Sequence, residues 1–218
     1  MKTRILAFIV ILTLTACCIQ TPQSGKTTTT STQAPKNEYT GFKILEVGDW
    51  VEYSIQEGKT LVQQKMTYLG AETVSGRTLT GLEVQLKNES GHIIIFQVWI
   101  DSEGGKAAEY AARINGNVLC TTNASVLQKI SPLPELKGTP DKYAPGKSTK
   151  SQLFTVGGKQ LYAFYYETGD ASAWVSESVP FGLVSANSQD GTRLDLLDYG
   201  SGSKRTITKY ELDNCKKI

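Results

Sequence analysis

Residues 82–101 read LEVQLKNESGHIIIFQVWID, two segments separated by a polar turn, and their patterning decides the fold. In the first, Leu82, Val84 and Leu86 alternate with Glu83, Gln85 and Lys87, the period of two that belongs to a half-buried strand. Glu89-Ser90-Gly91 supplies the turn. The second segment differs: Ile94, Phe96, Val98 and Ile100 share one face, while Ile93, Ile95 and Trp99 share the other, so both faces are apolar. Such a strand either has a helix or loop over its second side or lines an apolar cavity there.

The same grammar extends outward in both directions. Gly48-Asp49 opens a run in which Val51, Tyr53 and Ile55 face one way and Glu52, Ser54 and Gln56 the other. After the Gly157-Gly158 turn, Leu161 to Tyr166 (LYAFYY) repeats the apolar doubling, with Tyr162, Phe164 and Tyr166 on one side. Short alternating segments between turn signals predict a mainly β domain built as a curved antiparallel sheet. Four of the seven prolines, Pro132, Pro134, Pro140 and Pro145, fall between Ser131 and Gly146 and exclude a regular element there. Residues 124–130 (ASVLQKI) are expected to form a short helix capped by Asn123, and with the proline-rich loop to cover one side of the sheet.

The N-terminus speaks for location. Lys2 and Arg4 precede the apolar run Ile5 to Leu14, the layout of a secretory signal. The run is about half the length a membrane-spanning helix needs, so cleavage of residues 1–16 is expected. Leu14-Thr15-Ala16-Cys17 resembles the lipobox of bacterial-type lipoproteins, which implies a diacylglyceryl group on Cys17 and attachment to the outer face of a cell membrane. The alternative is an ordinary signal peptide cut near Ala16, with Cys17 and Cys18 as spare thiols. Residues 17–37 are rich in Thr, Ser and Pro and carry no large apolar side chain beyond Ile19, so they read as a disordered tether. One domain over residues 38–218 follows, about 180 residues, enough for a sizeable core.

Loss of residues 1–16 removes Lys2 and Arg4 and leaves 21 basic residues against 21 acidic ones. A neutral chain without a basic cluster offers nothing to nucleic acid. Cys120 and Cys215 form a natural couple in an oxidising compartment, with free buried thiols as the alternative. Asn88-Glu89-Ser90 and Asn123-Ala124-Ser125 satisfy the N-glycosylation rule.

The stretch AWVSESVPFGLVSANSQDGTRLDLLDYG, residues 173–200, orders a strand, a Val179-Pro180-Phe181-Gly182 corner, a strand, an Asp190-Gly191 turn and a last strand ending Asp198-Tyr199-Gly200. That order resembles envelope lipoproteins with a half-open barrel of the LolA/LolB and LppX type, and Gly48 to Tyr53 resembles their opening strand. The resemblance implies a curved antiparallel sheet with an apolar concavity that in some relatives holds acyl chains. No functional residue carries over, because such proteins bind through general apolar lining.

Reactive constellations are not apparent. His92 is the only histidine and begins a strand beside a turn, so neither a hydrolase triad nor a zinc site is expected. Asp190 belongs to a turn, and Asp195 and Asp198 are expected on opposite faces of a strand as solvated charges. Gly200-Ser201-Gly202-Ser203 reads as a hairpin turn and not as a phosphate cradle, because no helix is expected after it. No metal and no cofactor are expected. The sequence therefore points to a non-enzymatic, membrane-anchored binding or carrier module for a lipid or other hydrophobic ligand, with Ile93, Ile95, Trp99, Tyr162, Phe164 and Tyr166 as its lining. The alternative is an accessory surface lipoprotein that contacts another envelope protein.

Overall fold

The computed structural model describes residues 38–39, 43–74, 77–101, 107–114, 116–123, 146–148, 150–168 and 171–218. The signal segment, Cys17, the tether, the helix expected at 124–130 and most of the proline-rich loop lie outside these residues.

Among the described residues, fourteen strands and one helix follow in order: β1 (Glu38–Tyr39), β2 (Trp50–Glu57), β3 (Thr60–Val74), β4 (Arg77–Asn88), β5 (Ile93–Asp101), β6 (Ala107–Ile114), β7 (Asn117–Thr121), β8 (Gly146–Lys147), β9 (Ser151–Val156), β10 (Lys159–Thr168), β11 (Ala171–Val175), β12 (Leu183–Ser188), β13 (Arg193–Gly200), α1 (Lys209–Asp213) and β14 (Lys216–Lys217). β1 and β8 pair by themselves; the other twelve strands form one sheet in the order β14-β7-β6-β5-β4-β3-β2-β13-β12-β11-β10-β9. All neighbours are antiparallel except β14 with β7. The fold is mainly β, as the patterning predicts. The sheet is open, since its end strands β14 and β9 do not meet as a pair.

It is also curved. The β9–β10 turn reaches β13, three strands away, where Lys159 Nζ sits 3.1 Å from Asp198 Oδ1 and donates to Tyr199 O. The backbone of Gly157 lies so close to the Asp198 carboxylate that a Cβ would not fit. Strands spaced by about 4.8 Å would hold these groups roughly 14 Å apart in a flat sheet, so this half of the sheet coils back toward itself.

The core lies on one face, and the register shows why. Tyr166 opposes Ala173, Ala173 opposes Ala186, Ala186 opposes Leu194, Leu194 opposes Ile55 and Ile55 opposes Val62. Directly opposed residues share a face, so the alternation of each strand is carried across the sheet. Val51, Tyr53 and Ile55 of β2 join Leu82, Val84 and Leu86 of β4 and Phe96, Val98 and Ile100 of β5 in a single cluster. The corner between β11 and β12 feeds the same cluster with Val179 and Phe181. Phe181 has a left-handed backbone, φ 62°, which a bulky residue adopts only where packing holds it. The buried Tyr53 hydroxyl donates to Leu183 O at 3.1 Å, and burial pushes its pKa up from the ordinary value.

Two expectations are corrected. Gly200 to Ser203 is not a hairpin turn. The chain leaves β13 there, Ser203 N donates to Gly48 O at 2.9 Å, and residues 203–215 cross the outer face of the sheet. Asp195 and Asp198 are not on opposite faces either. The pairing of β13 with β2 shifts between Leu196 and Asp198, so Asp195 opposes Ser54 and Asp198 opposes Glu52, both on the outer side. A bulge inserts one residue, and one residue is what exchanges the faces.

Candidate functional site

The six apolar residues expected to line a ligand site do not converge. Phe164 and Tyr166 belong to the core face by the register given above, Tyr162 is exposed between Leu161 and Ala163, which are buried in the main core, and Ile93, Ile95 and Trp99 alternate with the core residues of β5 and point outward. The sheet itself separates the two sets. Phe164 is packed in the main core, and Trp99 is buried in a second cluster with Leu69 and Leu79. Ile93 and Tyr162 are exposed, and Ile95 and Tyr166 are half-buried. Asn88 and Asn123 are both exposed. His92 is exposed in the β4–β5 turn, where its N–H donates to Asn88 Oδ1.

What covers the outer face of β5 is the C-terminal segment, and its anchor is Glu83. This side chain is fully buried although the alternation of β4 places it opposite the main core. Glu83 Oε2 accepts from Gln97 Nε2 at 2.8 Å, from Thr206 N at 2.7 Å and from Ile207 N at 3.1 Å, while Oε1 accepts from Gln85 Nε2 at 3.1 Å. Burial pushes the Glu83 carboxyl up, but the hydrogen bonds from Thr206, Gln97 and Ile207 outweigh it and hold the group below its ordinary value. Gln97 Nε2 also donates to Ile207 O at 2.7 Å, so the carboxylate and the amide together satisfy the backbone of the crossing segment.

Further contacts fasten the same segment. Arg113 Nη2 pairs with Glu211 Oε1 at 2.5 Å and donates to Thr206 O. Arg205 lies over the Trp99 ring, 5.7 Å from its centroid. Thr208 and Glu211 form a reciprocal capping box that starts α1, and the Thr208 N–H and hydroxyl, with Arg113, hold Glu211 below its ordinary pKa. Cys215 is bonded to Cys120 with their Cα atoms 5.9 Å apart, the pairing expected from the sequence. Beside this bridge, a hollow of about 50 Å3 between Trp99, Tyr110, Cys120, Leu212 and Cys215 has room for a few waters. Ligand pockets are larger, roughly 300 Å3 or more. The arrangement is a structural clamp with no nucleophile paired to a base. Among the described residues, no group of three metal-ligating side chains occurs.

Gly81 has a particular part in this face. It opposes Trp99 directly, and a Cβ there would fall 2.6 Å from Cη2 of the indole. Gly81→Ala is expected to displace Trp99 from beneath Arg205 and to cost about 1–3 kcal/mol as an overpacking change. Denaturant unfolding followed by tryptophan fluorescence measures both effects.

A different feature gathers at one end of the sheet. The β2–β3, β4–β5 and β6–β7 turns all lie at that end, and each has a large aliphatic side chain beside it: Leu61, then Ile93 and Ile94, then Ile114. All four are between 41% and 56% exposed. Ile95 opposes Arg113, which brings Ile94 beside Ile114 on adjacent strands. Around them lie Glu57, Lys59, Lys87, Glu89 and His92, charges of both signs and polar turn residues. Apolar groups rimmed by polar ones mark interaction surfaces.

The clamp and this rim were missed in the sequence. Thr208-Lys209-Tyr210-Glu211 is a legible capping-box signal for α1. Glu83 gives no local sign of burial, since its cover comes from residues more than 100 positions later.

No protein-family profile matches the chain, and no curated protein is significantly similar to it. Three solved structures share distant similarity of fold. A candidate lipoprotein from Parabacteroides distasonis aligns at 12% identity over 73% of this chain and 97% of its own, with a TM-score of 0.36. PNGF-II aligns at 9% identity over 79% of this chain and 31% of its own, with a TM-score of 0.33. MucB aligns at 10% identity over 76% of this chain and 56% of its own, with a TM-score of 0.38.

Proposed function

We propose that the chain is a non-enzymatic module, tethered through a lipid on Cys17 to the outer face of a cell membrane, that binds another protein of the envelope through the hairpin end of its sheet. The observation that carries this reading is the rim of Leu61, Ile93, Ile94 and Ile114, exposed on three consecutive hairpins at one end. The Cys120–Cys215 bridge supports an extracytoplasmic location. The mixed charges around the rim and the neutral mature chain favour a protein partner over anionic lipid. A carrier role has less support, because the six side chains expected to hold a hydrophobic ligand lie on opposite faces of the sheet. The LolA/LolB/LppX resemblance of residues 173–200 is compatible with either role.

The test combines rim substitution with extraction. Ile94→Lys with Ile114→Lys is expected to weaken association with the partner more than about tenfold, and to leave the melting temperature within a few degrees because both residues are half exposed. The readout is site-specific photo-crosslinking from position 93 in intact membranes, with and without the two lysines. An unchanged crosslink overturns the reading. Mass spectrometry of the organic extract addresses the other role, and a near-stoichiometric lipid would replace partner binding with carriage.

A further inference from the structure

The far end of the C-terminal segment is held by one covalent bond and little else. Ile207 is fully buried and its N–H donates to Glu83, but from Thr208 to Ile218 no side chain is buried, and only Glu211, Leu212 and Cys215 are half-buried. β14 consists of two exposed lysines paired with β7. What remains is the partly exposed Arg113–Glu211 ion pair and the Cys120–Cys215 bridge. The surroundings of the bridge favour its opening. Cys120 is buried, whereas Cys215 is half-buried and lines the hollow described above, so an attacking thiolate reaches Cys215 Sγ more readily. Lys217 opposes Cys120 in the β14–β7 pairing and lines the same hollow, where Glu109 carries the opposite charge. A cation beside a thiol lowers its pKa and speeds its departure as thiolate.

From these observations we propose that Cys120–Cys215 is a redox latch, which a dithiol reductant opens to free residues 208–218 from a sheet that stays folded. One thiolate of the reductant attacks Cys215 Sγ and forms a mixed disulfide, while the S–S electron pair leaves on Cys120, which takes up a proton. The second thiolate then attacks the reductant's own sulfur in the mixed disulfide and releases Cys215, which is protonated in turn. The reductant ends as a disulfide, and two electrons and two protons have passed to the bridge. The change in the fold is confined to one edge. Ile218 N donates to Cys120 O at 3.0 Å, and the parallel register sets the Cys120 N–H on the same side, toward β14. The N–H groups of Leu119 and Thr121 point the other way, to β6. Release of β14 therefore uncovers both backbone groups of Cys120 and leaves the β6–β7 pairing intact.

The mature chain, tether included, purified in detergent and treated with dithiothreitol without denaturant, provides the test. Alkylation followed by peptide mass spectrometry, which separates Cys120 and Cys215 from Cys18, is expected to find both modified while the circular dichroism spectrum at room temperature is retained. Hydrogen exchange resolved to single residues is expected to show the Cys120 amide losing at least about tenfold in protection, with Leu119 and Thr121 unchanged. Lys217→Met is expected to slow reduction at least about threefold, and to leave the melting temperature of the oxidised protein unchanged because position 217 is exposed. A bridge that reacts only in denaturant, a reduced protein whose Cys120 amide stays protected, or exchange at Leu119 and Thr121 that rises together with Cys120 would each overturn the latch. An unchanged rate in Lys217→Met would overturn the assistance from that charge.

Discussion

Replacement of Glu83 by alanine is expected to lower the unfolding free energy by about 3–5 kcal/mol, the range for breaking a buried, hydrogen-bonded charge. The loss has two parts. The backbone N–H groups of Thr206 and Ile207 and the amide of Gln97 lose their acceptor, and a buried donor without a partner costs about 1–3 kcal/mol. Equilibrium denaturation gives the magnitude, and hydrogen exchange locates it: the amides of Thr206 and Ile207 should lose protection before those of β2 and β3. The acid limb of stability is a second readout. The folded protein holds the Glu83 carboxyl below its ordinary value, so the unfolded chain takes up this proton first as the pH falls. The contribution is therefore complete above about pH 5, declines below the unfolded pKa and is gone once the pH passes beneath the folded one. Glu83→Gln should flatten that limb. Asp190, Asp198 and Glu211 are also lowered, but they lie at the surface, where solvent screens their pairs.

Cys215→Ser is expected to cost about 2–5 kcal/mol, with a fall in melting temperature of roughly 10 °C. The bond joins positions 95 apart in sequence, and in the chain-entropy model a loop of that length gives an effect near 4.7 kcal/mol. Position 215 is the better choice for substitution because Cys120 is buried beside Ala111. The same result should follow from reduction of the wild-type protein. Glu83 and the disulfide hold one segment by its two ends, so their effects should not add. Once either is lost the segment loosens, and the double variant should be less destabilised than the sum by about 1–2 kcal/mol. Strict additivity would mean that residues 203–215 do not act as a unit.

Much of the fold was legible in the sequence because strand grammar is local. Val51, Tyr53 and Ile55 reveal their shared face within six residues, and Asp190-Gly191 and Gly157-Gly158 sit in the turns their chemistry predicts. The corner at Val179 to Gly182 likewise falls between two strands, although the left-handed Phe181 that carries it into the core has no sequence signature. The bulge at Leu197 shows where local reading stops. A strict period of two sends Asp198 to the core side, and only the pairing with Glu52 reveals the extra residue.

The candidate sites were less accessible for the same reason. Apolar doubling in HIIIFQVWID left cover or an apolar cavity open for the second face, and it could not name what covers it. That role falls to residues 203–215, which bury Gln97 and Trp99 but leave Ile93 outside their reach. Nor could it relate β5 to β10, whose apolar residues share a pattern, although Ile93, Ile95 and Trp99 lie on the opposite face of the sheet from Phe164 and Tyr166.

Residue order is enough to show which side chains alternate, where the chain turns and that Cys120 and Cys215 are available to pair. Only folding in three dimensions makes Glu83 an internal anchor, places Leu61, Ile93, Ile94 and Ile114 at the same end of the sheet, and leaves β9 at an edge. The physical reason is distance along the chain. Alternation is imposed by the geometry of each strand, whereas burial of its second face depends on a segment from elsewhere in the chain, and only the folded sheet brings the two together.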